Sequence, residues 1–122
     1  MSQIYDFLKD CGVFYVLTIN GDRPAGRPFG AVMEHNGDLY LSTGNTKEVY
    51  RQIKDCPYVQ IIAQKAGTRN WMRVNGTAEE CTDTSMKTLM IDACPILTKR
   101  YESPDDPLFA LFRVKIEDVE YF

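Results

Sequence analysis

The sequence predicts a mainly β fold with flanking helices, an antiparallel barrel of about six strands. Three observations carry this. Apolar stretches of strand length recur along the chain, several with β-branched and aromatic residues. Asn-Gly pairs separate neighbouring stretches at positions 20–21 and 36–37, and that dipeptide readily takes the positive φ of tight hairpin turns. Helical patterns fall in only two of the joins, between strands three and four and before the last strand. Most strands therefore lack the crossovers that a parallel sheet needs.

Taken in order, Ser2 suits a cap for a short helix with Ile4, Phe7, Leu8 and Cys11 on one face, ended by Gly12. Residues 13–19, VFYVLTI, read as a central strand apolar on both faces. Residues 23–26 read as irregular, because Pro24 and Pro28 suit only strand starts or edges. The stretch around which the chain is organised follows. Residues 27–32 open a strand, His35-Asn36-Gly37-Asp38 turns it, and residues 39–43 return. Gly44 breaks the second strand. Asn45 then reads as a helix N-cap, with Glu48 completing a capping box. The helix from Thr46 carries Val49, Tyr50 and Ile53 at core spacing and stops before Pro57.

Residues 58–64 form the next strand, and Gly67 marks a loop over 66–70. Residues 71–79 alternate, with Met72, Val74, Gly76 and Ala78 on one face and Trp71, Arg73, Asn75 and Thr77 on the other. Asp83 caps a helix whose apolar face is Met86, Leu89, Met90 and Ala93. Pro95 restarts or kinks it as far as Tyr101. Residues 103–107 are a break. Residues 108–116 are the last strong strand, with Leu108, Ala110, Phe112, Val114 and Ile116 on one face, and 117–122 read as a further edge segment. The pattern holds no repeat or linker, so residues 1–122 are expected to form one domain.

A net charge of -3 disfavours a nucleic-acid surface, and no apolar run is long enough to span a membrane. The N-terminus lacks the basic start and apolar core of a signal peptide, so a cytoplasmic protein is expected. The four cysteines contain no CxxC pair and His35 is the only histidine, which argues against a zinc site and a Cys–His catalytic pair. Four separate thiols are expected. GxGxxG and GxxxxGK[ST] motifs are both absent.

The end of the 27–47 hairpin has the parts of a phosphate site. A helix start offers free N–H groups and the positive end of a dipole. Ser42, Thr43 and Thr46 add hydroxyls, Lys47 adds a cation, and Arg27 adds a planar fork if its strand end lies alongside. The same pattern also describes a solvated helix start with surface charges. The face with Trp71 and Arg73 suits a ligand or a second subunit, or else a strand edge with Trp71 folded over a loop.

The order of these pieces resembles a family. Arg27-Pro28-Phe29-Gly30 opens a strand, LYLSTGNTK leads into a helix, and Trp71-Met72-Arg73-Val74-Asn75-Gly76-Thr77-Ala78 precedes a helical pair and a final strand. Nearly the whole chain is similar to the small flavoproteins related to pyridoxamine 5'-phosphate oxidase, closest to the short branch that resembles nitroimidazole-resistance reductases. The resemblance implies a six-stranded antiparallel split β-barrel, the FMN-binding split barrel. It also implies a homodimer with FMN in two clefts between the subunits. Arg27 and Lys47 would hold the FMN phosphate, with Ser42, Thr43 and Thr46 near it. Pro28, Phe29, Gly30 and Ala31 would line the cofactor, the last three passing their backbone beside the isoalloxazine ring. Trp71 and Arg73 would lie near the flavin cleft or the dimer seam.

The full oxidase carries a C-terminal Trp and an Arg–His cluster that grip the vitamin phosphate. Here the sequence stops at Phe122 with one histidine, so that activity is not expected. The implied function is an FMN-dependent oxidoreductase or flavin reductase, reduced by NADH, NADPH or a partner protein, with no protein acid or base required. Three alternatives stand beside it: a deazaflavin-dependent reductase of the same fold, a non-catalytic flavin- or heme-binding protein, and an interaction module with a vestigial cleft.

Overall fold

Both Asn-Gly turns close hairpins in the computed structural model, which describes residues 2–122 without the side chain of Ser2. The cap expected of Ser2 therefore lies outside the described residues. Asn36 (φ 51°) and Gly37 (φ 88°) both sit in the left-handed region, as a two-residue hairpin loop matched to strand twist requires. The helices are α1 (Ser2–Cys11), α2 (Glu48–Asp55) and α3 (Thr84–Ala93), with a 3-10 helix at Pro95–Lys99. The strands are β1 (Phe14–Asn20), β2 (Arg23–Phe29), β3 (Met33–His35), β4 (Asp38–Gly44), β5 (Tyr58–Gln64), β6 (Trp71–Cys81) and β7 (Phe109–Tyr121). They form one antiparallel sheet in the order β2-β1-β5-β6-β7-β4-β3.

The sheet is unclosed, yet its two edge strands are consecutive in the chain. Only Gly30, Ala31 and Val32 join β2 to β3. That link reaches at most about 14 Å, whereas the edge strands of a flat seven-stranded sheet would stand about 29 Å apart. The sheet must therefore curl until its edges nearly meet, giving a barrel split between β2 and β3.

Seven strands replace the six expected because the stretch 27–32 is not one strand. Residues 23–26, expected to be irregular, belong with 27–29 in β2, paired along β1 from Arg23↔Asn20 to Phe29↔Phe14. Pro24 and Pro28 are accommodated because β2 is an edge. Residues 117–122 are not a separate segment either, since β7 runs on through Tyr121.

The barrel is filled. Phe14, Val16, Leu39, Leu41, Ile61, Met72, Val74, Phe112 and Val114 meet inside it, covered by Ile4 and Leu8 of α1 and by Val49 and Ile53 of α2. A second apolar cluster lies on the outer side of β3, β4 and β7. There Met33, Tyr40, Phe109 and Leu111 pack against Met90, Cys94 and Leu97 from α3 and the 3-10 helix. β7 is thus buried on both faces from Phe109 to Phe112, rather than on the single face expected. The α3 face differs too: Met86, Met90 and Cys94 turn inward, while Leu89 and Ala93 are exposed. Asp83 caps α3 as expected, accepting from the Ser85 N–H at 2.8 Å. All four cysteines are free.

The outer faces of β1 and β5 are uncovered. Val13 is 53% exposed, Tyr15 51% and Tyr58 59%, with Leu17 and Ile62 half-buried beside them. β1 was expected to be buried on both faces, but one of its faces is open.

β6 and β7 change register between Asn75 and Gly76, where Asn75 pairs with Asp118 and Gly76 with Ile116. Glu117 is the extra residue of this β-bulge. A Cβ on Gly76 would stand 2.7 Å from the Lys115 carbonyl oxygen and 2.8 Å from Val114 Cγ1. Gly76→Ala is therefore expected to destabilise the fold by about 1–3 kcal/mol through overpacking, read from urea unfolding. An unchanged midpoint would show that the bulge yields freely.

Helix α2 is fastened to β6 by Glu80, which accepts from the Tyr50 hydroxyl at 2.8 Å and from Lys54 Nζ at 2.9 Å. Burial alone would raise the Glu80 carboxyl. The hydrogen bonds from Lys54 and Tyr50, with the Lys54 charge, outweigh it and hold the carboxyl below its ordinary value. A depressed carboxyl contributes stability above its unfolded pKa and loses it as pH falls through the folded value. Wild-type stability should fall as pH drops below 4.5, and Glu80→Gln should flatten that part of the profile in thermal melts at stepped pH.

Candidate functional site

The gap between the sheet edges holds a cavity of about 350 Å³. Eight of the residues singled out from sequence line it: Arg27, Pro28, Phe29, Gly30, Ala31, Ser42, Thr43 and Lys47. The topology explains their meeting. The first five lie at the end of β2 and in the link, while Ser42, Thr43 and Lys47 lie at the end of β4 and the start of α2. Gly44 and Val49 complete that wall. Ile96, Leu97, Arg100 and Tyr101 form a further wall, from the 3-10 helix and its exit.

Arg27 is fixed from below. Its Nη1 donates to Thr18 Oγ1 at 2.8 Å and to the Val16 and Ala25 carbonyl oxygens at 3.3 Å, and its Nη2 donates to Gln52 Oε1 at 2.7 Å. The Thr18 hydroxyl donates to the same Gln52 Oε1 at 2.6 Å. Thr18 and Gln52 are both buried. The guanidinium is therefore an anchored positive wall with only part of its fork left for a ligand. Burial lowers its pKa and the Glu48 charge raises it, which leaves it charged at any physiological pH.

Sequence reasoning missed Thr18 and Gln52. The available signal was a threonine continuing the inward Phe14, Val16 alternation, and a glutamine beside Ile53 on the apolar side of α2.

The start of α2 differs from its expected form. Lys47, not Asn45, is the N-cap, and no side chain caps the first turn. The Asn45 amide instead donates to the Pro107 carbonyl at 2.7 Å, and the Asn45 N–H donates to Leu108 O at 3.0 Å. These bonds tie the turn to the approach of β7 and leave the first N–H groups of α2 free of any side-chain cap. Thr46 is exposed and does not line the cavity. Glu48 lies 3.6 Å from Arg51, so it does not neutralise Lys47. Among the described residues, Lys47 and Arg100 have no ion-pair partner. The lining contains no carboxylate and no histidine. His35 sits edge-on to Tyr40, outside the lining.

Trp71 and Arg73 lie elsewhere in the chain. The Trp71 ring stacks on Phe122 with centroids 4.2 Å apart, and the Arg73 guanidinium lies over both rings at 5.0 and 5.2 Å. Arg73 also pairs with Glu120 at 3.2 Å. Trp71, Tyr121 and Phe122 border a second hollow of about 590 Å³ with Phe7, Asp6 and Asp10. This larger hollow is an open surface groove, and Lys65 already occupies its charged side, 3.8 Å from Asp10 and above the Phe7 ring.

The sequence profile of the pyridoxamine 5'-phosphate oxidase family matches residues 1–122. The chain belongs to that family. A NimC/NimA family protein of Clostridium acetobutylicum is 36% identical over all of this chain and 86% of its own, with a TM-score of 0.94. Two more distant structures share the fold. An FAD-binding protein of Mesorhizobium loti is 20% identical over 98% of this chain and 91% of its own, with a TM-score of 0.72. A pyridoxamine 5'-phosphate oxidase-related, FMN-binding protein of Nostoc punctiforme is 15% identical over 98% and 82%, with a TM-score of 0.78. No curated protein matches the chain. Family membership thus agrees with the resemblance read from the sequence, and the split antiparallel sheet is the family's fold.

Because Arg27 satisfies Thr18 and Gln52, Arg27→Ala should lower stability as well as affinity. The expected loss is about 1–3 kcal/mol from the polar groups left unpaired, measured by thermal unfolding without ligand. An unaltered melt would mean that water replaces the guanidinium at no cost.

Proposed function

We propose that the protein is an FMN-dependent oxidoreductase that works as a homodimer, with a cofactor cleft at each side of the subunit seam. One observation carries the reading: the cavity at the split is lined by cations, hydroxyls and an uncapped helix start, without a carboxylate. This is the donor set that a phosphate dianion needs. A Cβ on Gly30 would meet nothing closer than Gly12 O at 3.7 Å. The chain's own packing therefore does not call for glycine there, and its bareness serves a flat ring lying against the wall.

When bound, flavin supplies the transfer of hydride or electrons, with NADH or NADPH as the proposed donor. The chain's residues do the rest. Lys47 and Arg27 hold the phosphate. Gly30 and Ala31 offer backbone to the ring edge, and Ile96 and Leu97 keep water from one side. With no histidine or carboxylate in the lining, the chain contributes orientation and charge rather than an acid–base pair.

The uncovered apolar face of β1 and β5 supports the dimer. It also reaches the cavity, since Pro28 lies across from Tyr15, Tyr15 from Ile62, and Ile62 from Arg73. A second copy on this face would bring its own surface to the open side of the cavity.

Purified protein should carry a flavin absorption spectrum and release FMN on denaturation, identified by mass. Lys47→Ala should weaken FMN about 10- to 100-fold through loss of a charge-assisted hydrogen bond, measured by fluorescence titration. Equal affinities would remove this end of the cavity as the phosphate site. Light scattering should give twice the chain mass, and a monomer would sink the inter-subunit cleft.

A further inference from the structure

Two polar groups on the 3-10 wall are unused by the rest of the chain. Arg100, the C-cap of that helix, is exposed and makes no side-chain hydrogen bond or ion pair among the described residues. Tyr101 is half-buried, its ring packed on Phe109 at 4.8 Å. Its hydroxyl makes no hydrogen bond among the described residues. A Cβ built on Gly44 would lie 3.6 Å from that hydroxyl and 3.6 Å from Lys47 Cγ, which sets the phenol beside the stem of Lys47 at the start of α2. The wall holding both groups is well fixed. Leu97 is buried in the second cluster, and the Cys94 thiol contacts the Val32 carbonyl oxygen at 3.5 Å, within the link that joins β2 to β3.

The charges are therefore distributed in two parts. Arg27 is committed to Thr18 and Gln52, whereas Lys47 and Arg100 both line the cavity uncommitted. A helix start with one lysine would suffice to attract an anion. A second free cation on the same cavity, with an unpaired hydroxyl beside the Lys47 stem, points to an anion held by more than one element.

We propose that Arg100 and Tyr101 are phosphate-binding residues that hold the phosphomonoester end of the ligand together with Lys47 and the start of α2, so that the cavity selects a phosphorylated ligand over its unphosphorylated parent. The proposal rests on the flavin reading for the identity of the ligand, and on the cavity alone for the anion. Burial raises the Tyr101 pKa, partly opposed by Arg100 and reinforced by Asp106. The phenol thus stays protonated at neutral pH and donates to a phosphate oxygen.

The test compares FMN and riboflavin binding in the wild-type protein, Arg100→Ala, Arg100→Lys and Tyr101→Phe by fluorescence titration. Thermal shift with inorganic phosphate runs alongside. Arg100→Ala should weaken FMN about tenfold or more, as expected for a charge-assisted contact, with riboflavin affinity essentially unchanged. Arg100→Lys should recover most of the loss. Tyr101→Phe should weaken FMN by a smaller factor at an unchanged melting temperature. If FMN binds wild type and Arg100→Ala equally, or if FMN and riboflavin weaken together, the clamp is overturned while the flavin reading stands. If wild type binds neither flavin, the flavin reading fails. Phosphate then decides the clamp: protection of wild type that is lost in Arg100→Ala keeps it, and equal protection removes it.

Discussion

A three-residue link governs this structure. Gly30, Ala31 and Val32 carry the chain from one edge of the sheet to the other, so five intervening strands must curve to bring those edges together. The curl lets one core fill from all sides, with α1 and α2 covering it. The same link keeps the barrel from closing, because it runs past the end of β2 and into β3 rather than pairing them. The cavity occupies that unpaired place, and its polar lining follows from it. Strand ends, a helix start and a link carry backbone groups that no ladder uses.

The second constraint is the buried triangle of Thr18, Gln52 and Arg27. It joins the inner face of β1, the inner side of α2 and the edge strand β2. The Thr18 hydroxyl and Gln52 Oε1 pair with each other and with Arg27, so these buried oxygens do not go unpaired. Edge strands are the least restrained part of a sheet, and this triangle holds the β2 edge against the helix whose start lines the cavity. Positive charge is thereby placed at the cavity with little freedom of its own, which reduces the entropy lost when a ligand arrives.

Much of this was legible in the sequence because the signals were local. The Asn36-Gly37 turn, the alternation along residues 71–79, the cap at Asp83 and the stop before Pro57 each depend on a few neighbouring residues. Most of the cavity was legible too, since Arg27–Ala31 and Ser42–Lys47 are short runs at strand ends. What escaped depends on distant partners. Residues 23–26 look irregular until β1 supplies a ladder beside an edge that tolerates Pro24 and Pro28. Asn45 makes a plausible cap until Pro107 takes its amide. Leu89 matches the helical period, but the sheet meets α3 along Met86 and Met90 instead. Arg100 and Tyr101 follow a helix with no motif of its own, and only the fold brings them to the cavity that Lys47 lines.

The filled interior has a consequence for how such a scaffold diversifies. In a barrel that stores its ligand inside, a new ligand means a repacked core, and core changes are costly. Here the interior is occupied by Phe14, Phe112, Met72 and their neighbours, and the cavity lies outside it at the split. Ile96 and Arg100 on the rim are exposed and make no part of either apolar cluster. Substitutions there can change the chemistry of the cavity rim while the core is left alone, so rim variation and stability fall on separate sets of residues.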